Sequence, residues 1–316
     1  MIRKFSLIVL LLLPLISLTA DEPGKKFRLA FNALVSDTSA DYDVFSMNFA
    51  GGERKNITNN PDFAWVYYAY KNRIYFISDR DTCYRCYFLY EMDINGENLR
   101  KVTELQLEDS WMSSRNEGSE MIVAAKIGKT IRNQLFLVDV KTGNYRMITN
   151  DTPALHRDPS FSPDGKSVVF TYKKNKRDPQ LLEELFVMDI ESGAMKQITQ
   201  YPQDDTLRSS RGYKAGTPKW HPSGEFITYQ SLQEGKYSIY SIKPDGSGKR
   251  KLMNNETYEG YHSWSSDGKY LVFDGFDRDQ TLFDIYILEY GTGEIVKLSN
   301  SEYKYQQAAV FVEVIP

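Results

Sequence analysis

Short segments along the chain alternate apolar and polar residues with the two-residue period of half-buried strands. LFVMDIESGAMKQIT (185–199), LFLVDVKTGNYRMIT (135–149) and IYILEYGTGEIVKLS (285–299) share one form. Each has an alternating run, a glycine-bearing turn and a second short strand, which predicts a hairpin. A second hairpin is written in PSFSPDGKSVVF (159–170), PKWHPSGEFITY (218–229) and HSWSSDGKYLVF (262–273). There Pro and Gly bracket a turn of the type I form between two strands.

The hairpins recur at a fixed period. Aromatic anchors stand at Phe45, Tyr90, Phe136, Phe186, Tyr240 and Tyr286, in steps of 45, 46, 50, 54 and 46 residues. An aliphatic residue follows each by 12 positions: Ile57, Val102, Ile148, Ile198, Leu252 and Leu298. Each unit therefore reads as four antiparallel strands, a to d. Six such units predict an all-β fold, a six-bladed β-propeller. The first unit opens at Phe27 on strand b. Its missing strand a is supplied by AVFVEV (309–314), so the C-terminal strand closes the ring and removes an exposed edge. Trp65, Trp111, Phe161, Trp220 and Trp264 are taken as equivalent positions on the innermost strands, packing blade on blade.

The repeat P-x-[FW]-S-P-D-G-K-x-[ILV]-x-[FY], followed by [IL]-[FY]-x-[MI]-D and x-[IL]-T, resembles that of TolB-type propellers. It is also similar to blades of prolyl-oligopeptidase relatives. The resemblance covers about 27–314, is closest in units 4 to 6, and has drifted at the first turns of units 2 and 3. It implies an envelope protein that binds a partner such as a peptidoglycan-associated lipoprotein. The G-x-S-x-G elbow of the peptidase relatives does not occur in this sequence.

Residues 1–20, MIRKFSLIVLLLLPLISLTA, join a basic start to a short apolar run and a small residue at Ala20. They predict a cleaved secretory signal, a short linker at 21–26 and a propeller over 27–316. The location expected is periplasmic or secreted, with no stable membrane span after cleavage. A formal net charge of −3 over 316 residues gives no footing for nucleic-acid binding.

In such a ring the a–b and c–d turns share one face, and the b–c and d–a loops share the other. Length varies only on the second face. From each d anchor to the next a anchor the separations are 8, 9, 13, 22, 12 and 13 residues. The longest connection, 200–217, and the long b–c loop 173–184 both belong to unit 4. Long loops on a rigid scaffold are where recognition tends to reside. Lys173, Lys174, Lys176 and Arg177 on one loop, and Arg208, Arg211 and Lys214 on the other, form the candidate partner-binding set. Asp109, His156, Arg157, Asp158, Tyr258, Tyr261, His262 and Gln307 precede inner strands and are placed at the channel mouth.

Catalytic signatures are sparse. His156 and His262 with a carboxylate could hold a metal, as in propeller lyases that act on uronides. Asp274, Asp277 and Asp279 offer carboxylates for calcium. Cys83 and Cys86 are expected to form a small loop disulfide. The reading is a monomeric, non-catalytic recognition or scaffold propeller with no cofactor and no metal, binding a protein or peptide of the envelope. The alternative is a uronide lyase-like enzyme or glycan-binding propeller that uses the channel mouth.

Overall fold

The computed structural model describes residues 26–36, 41–202 and 214–314. Within them the chain is all β and forms six antiparallel blades around a channel. Five blades are plain four-stranded sheets. In the third, the inner strand is split into Gln106–Leu107 and Ser113–Arg115, both paired with Glu120–Ile127. Neighbouring inner strands touch one another around the full circle. The C-terminal strand Gln306–Val314 is strand a of the first blade, running from Lys26↔Val314 to Ala33↔Gln306 against Lys26–Ser36. Ring closure by the C-terminal strand is thus a property of the fold. The expected signal at 1–20 and most of the linker at 21–26 lie outside the described residues. No helix among the described residues is long and apolar enough to cross a membrane.

The two anchor series have separate physical jobs. Each aromatic anchor lies in strand c opposite an apolar residue of strand b: Phe31↔Phe45, Phe76↔Tyr90, Val123↔Phe136, Phe170↔Phe186, Tyr229↔Tyr240 and Phe273↔Tyr286. Such cross-strand pairs are the unit of sheet stabilisation. Each aliphatic anchor donates its backbone N–H, at 2.8–2.9 Å, to a strand-c carbonyl: Ile57 to Val44, Val102 to Leu89, Ile148 to Leu135, Ile198 to Leu185, Leu252 to Ile239 and Leu298 to Ile285.

The Thr or Ser after the anchor completes the join. Thr58, Thr149, Thr199 and Ser299 accept the N–H of Val44, Leu135, Leu185 and Ile285. Three of these hydroxyls then donate to a strand-c acid: Asp43, Glu184 and Asp284. In blade 5 that place holds Met253, and the Glu259 carboxylate accepts the Ile239 N–H instead. A buried N–H requires a partner, and the repeat supplies it in two different ways.

A second recurring device ties blade to blade. The residue after the strand-b aromatic is polar in four blades: Asn32, Thr171, Gln230 and Asp274. Each reaches the inner strand of the next blade. Asn32 accepts the Val66 N–H at 2.7 Å and donates to the Val66 carbonyl at 3.2 Å. Thr171 donates to the Ala215 carbonyl, Gln230 donates to the Glu259 carbonyl, and Asp274 accepts the Ala308 N–H. Blades 2 and 3 have Ile77 and Ala124 at the same register.

The register corrects two of the inner-strand equivalences. Phe161, Trp220, Trp264 and Phe311 oppose Val168, Ile227, Leu271 and Leu29. The matching positions in blades 2 and 3 are Ala69, opposite Ile74, and Ser114, opposite Met121. Trp65 instead opposes Ile77, four residues earlier than Ala69, and Trp111 lies in the break of the third inner strand. With Ala69 and Ser114 as anchors, blades 2 and 3 each follow their preceding d anchor by 12 residues. The apparent shortness of these two connections therefore vanishes, and the 22-residue connection into blade 5 stands alone.

Candidate functional site

The central channel carries two cavities. On the loop face, a mouth of about 260 Å³ is lined by Tyr67, Asp109, Trp111, Arg157, Asp158 and Lys214, among others. On the a–b turn face, a wider cavity of about 610 Å³ is lined by the inner strands and their turns. Lys219 lines the wide cavity and Trp111 the mouth. The Lys219 Nζ sits 3.6 Å from the centre of the Trp111 ring, so this contact lies between the two.

Asp158 organises the mouth. It follows Arg157 on the inner strand of blade 4 (Leu155–Phe161), at a bulge where its own φ is +55°. One carboxylate oxygen accepts the Trp111 N–H at 3.1 Å from blade 3; the other accepts the Thr217 N–H at 3.3 Å from blade 5. Asp158 thus links three blades at the axis. Arg157 Nη2 pairs with Glu183 Oε2 at 2.8 Å, and its Nε lies 3.5 Å from Asp158. Tyr67 donates to Asp109. Burial raises the pKa of Asp109, while the Tyr67 hydroxyl bond opposes that shift. The mouth therefore mixes two cations, Arg157 and Lys214, with the acids Asp109, Asp158 and Glu183.

The described ends of the two unit-4 connections meet here. Glu183, at the end of loop 173–184, forms a parallel bridge with Lys214, and its carbonyl accepts the Ala215 N–H at 3.1 Å. Lys174, Lys176 and Arg177 are exposed on that loop, and Lys173 is half-buried. Lys176 Nζ donates to Asn133 at 2.9 Å. Arg208 and Arg211 fall outside the described residues. Elsewhere on this face Tyr84 is 76% exposed. It stands beside the disulfide that joins Cys83 to Cys86, with the Arg85 guanidinium over its ring.

Of the eight residues expected at the mouth, Asp109, Arg157, Asp158 and Tyr261 line it. Tyr258 packs against Phe276 instead. His156 and His262 are corrections, because both are wholly buried. His156 is held between Phe170 and Tyr172, 3.4 Å from Asp151. His262 bonds Thr228 at 2.9 Å across the contact between blades 5 and 6. Burial lowers the pKa of both imidazoles, that of His262 to about 3. Tyr261 lies in the bulge between Glu259 and His262, and His262 resumes the ladder opposite Phe273. Asp274 is buried on the Ala308 N–H, and Asp277 caps its own loop through Thr281, so these two acids do not converge. No group of three or more potential metal ligands occurs among the described residues.

Sequence reasoning placed Asp109 at the mouth but missed Lys219 and Trp111 as channel residues. Lys219 was legible in principle, since it replaces Ser160 and Ser263 of the sibling repeats. Trp111 was not, because it belongs to the break in the third inner strand.

The model of the TolB beta propeller domain matches residues 129–307. The chain belongs to the TolB beta-propeller domain family. The Tol-Pal system protein TolB of Gluconobacter oxydans is 31% identical over 220 residues, covering 58% of this chain and 46% of that protein. The crystal structure of TolB from Acinetobacter baumannii superposes with a TM-score of 0.69 at 17% identity, over 90% of this chain and 66% of that one. An oligogalacturonate lyase in complex with manganese has a TM-score of 0.54 at 14% identity, over 87% of this chain and 74% of that one. At these identities the structural likenesses establish the fold alone. This TolB-type propeller spans less than half the length of the sequence relatives it matches.

Proposed function

We propose that the chain is an exported, periplasmic, non-catalytic recognition propeller that binds a protein or peptide of the envelope through its loop face. The observation that carries this reading is the meeting of the described ends of the two long unit-4 connections at the channel mouth, through Glu183, Lys214 and Arg157. The d–a connections of the other blades are nearly uniform in length, so the 22-residue connection is a feature the scaffold does not require. The exposed Tyr84, set in its disulfide loop, adds an aromatic of the kind enriched at interfaces. Lys173, Lys174, Lys176, Arg177 and Lys214, with Arg208 and Arg211, supply positive charge suited to an acidic partner. The uronide reading depended on His156 and His262 at the mouth, and both are enclosed between strands.

Site-specific photo-crosslinking in the native envelope tests the proposal. Probes replace Arg177 and Tyr84 on the loop face, and Asp164 and Gly193 on the turn face. A single adduct captured from the loop-face positions, and lost when Lys174, Lys176 and Arg177 are changed to Glu in a folded protein, supports it. The same adduct formed from the turn face refutes the choice of face.

A further inference from the structure

Lys219 belongs to a ring of six equivalent channel positions. It opposes Thr228, the residue before the strand-b aromatic Tyr229. The same register in the other blades holds Tyr68, Ser113, Ser160, Ser263 and Val310, opposite Tyr75, Ile122, Val169, Val272 and Ala30. All six line the wide cavity of about 610 Å³ on the turn face. One level of the channel therefore carries one ammonium and four hydroxyls.

The fold sets the polarity of two of these hydroxyls, while that of Tyr68 is bonded to Ser114 at 2.9 Å. Ser113 Oγ accepts the Phe161 N–H at 2.8 Å, and Ser160 Oγ accepts the Trp220 N–H at 3.3 Å. Each oxygen is thereby used as an acceptor, which leaves its O–H to donate. The ammonium has no salt-bridge partner among the described residues, and one of its sides is covered by the Trp111 ring. Of the other charges lining the cavity, Arg115 is engaged with Glu120, Asp164 with Ser162 and Glu313 with Ser266, while Lys71 and Glu117 are exposed. An enclosed cation without a paired anion costs free energy that a methionine of the same length would not.

We propose that this ring binds the oxyanion group, carboxylate or tetrahedral, of a ligand entering from the a–b turn face, with the Lys219 ammonium as its counter-charge. The donors converge on a single level, as charge-assisted recognition of an anion requires. Burial pushes the Lys219 pKa down to about 7, and Asp158 opposes that shift. The neighbouring His262 is neutral at that pH, so it adds no competing positive charge. A bound anion favours the charged amine, and affinity must fall as pH rises through that value. The proposal is independent of the loop-face reading, since it concerns the opposite end of the channel.

The test titrates sodium sulfate and sodium acetate separately into the purified protein at constant ionic strength, following the tryptophan indole resonances. Neither anion titrates between pH 6 and 8.5. At least one is expected to give a saturable shift at pH 6, weakened roughly tenfold or more at pH 8.5 as the ammonium loses its proton. Sulfate in preference to acetate identifies a tetrahedral group, and the reverse a carboxylate. Lys219→Met should remove the shift. Absence of saturation with both anions overturns the proposal, as does an undiminished shift in Lys219→Met. If that variant fails to fold, the wild-type pH series decides, and binding equal at both pH values overturns it.

Discussion

Asn32→Ala removes the side chain that joins the first blade to the second. Asn32 is wholly buried and makes two bonds with the Val66 backbone, at 2.7 and 3.2 Å. It also donates to the Gln307 carbonyl of the closing strand at 3.4 Å. Truncation leaves the Val66 N–H without its acceptor in a dry contact, where an orphaned donor costs about 1–3 kcal/mol. Loss of the bond to the Val66 carbonyl adds about 1 kcal/mol. The third bond is long and contributes little. The sum is a destabilisation of about 2–4 kcal/mol, near 4–8 °C in Tm for a domain of this size. Thr171→Val is the control. It occupies the same register in blade 4, keeps its shape, and loses only a 3.1 Å bond to the Ala215 carbonyl. Its cost should be about 1 kcal/mol. Urea unfolding of both variants, compared at unchanged m-value, measures the difference. An Asn32→Ala midpoint within error of Thr171→Val would refute the view that these residues tie neighbouring blades.

Two further outcomes are expected. His262 is pushed by burial, and secondarily by Lys219, from 6.5 down to about 3. The folded state then holds this proton less tightly than the unfolded chain, so the stability it contributes is complete above pH 6.5 and declines as pH falls towards 3. Between pH 6.5 and 4.5, His262→Gln should lose up to about 2–3 kcal/mol less stability than the wild type in urea titrations. Gly118 turns the third blade at φ +82°, where an added Cβ would meet the Tyr70 ring at 2.4 Å. Gly193 has φ +70° with nothing nearby. Gly118→Ala should therefore cost at least about 2 kcal/mol and Gly193→Ala about 1 kcal/mol, read from the same unfolding curves.

The parts of this molecule that were legible in its sequence are those that repeat. Strand pairing, blade number and closure follow from anchors such as Phe186 and Ile198, because a cross-strand pair and a strand-c bond must recur wherever a blade recurs. The x-[IL]-T motif was visible as a pattern, and the structure supplies its reason in the threonine that accepts a strand-c N–H. Register failed where one blade departs from its siblings. Trp65 and Trp111 suggested anchors by size alone, yet Ala69 and Ser114 hold those places. Blades 2 and 3 also lack the polar tie, having Ile77 and Ala124 where the others carry Asn32, Thr171, Gln230 and Asp274.

That shared departure bears on the channel. With Ile77 at the tie position of blade 2, the inner strand of blade 3 receives no such side-chain tie. That same strand carries the break that brings Asp109 and Trp111 to the axis, where Asp158 receives the Trp111 N–H. Trp111 in turn covers Lys219. The divergent blades thus shape the channel, while the regular ones fix the ring around it. A site of this kind has no local motif, because its residues come from four blades: Tyr67, Trp111, Asp158 and Lys219. Only the deviation of each from its repeat marks it, and Lys219 among Ser113, Ser160 and Ser263 is the clearest such deviation in the sequence.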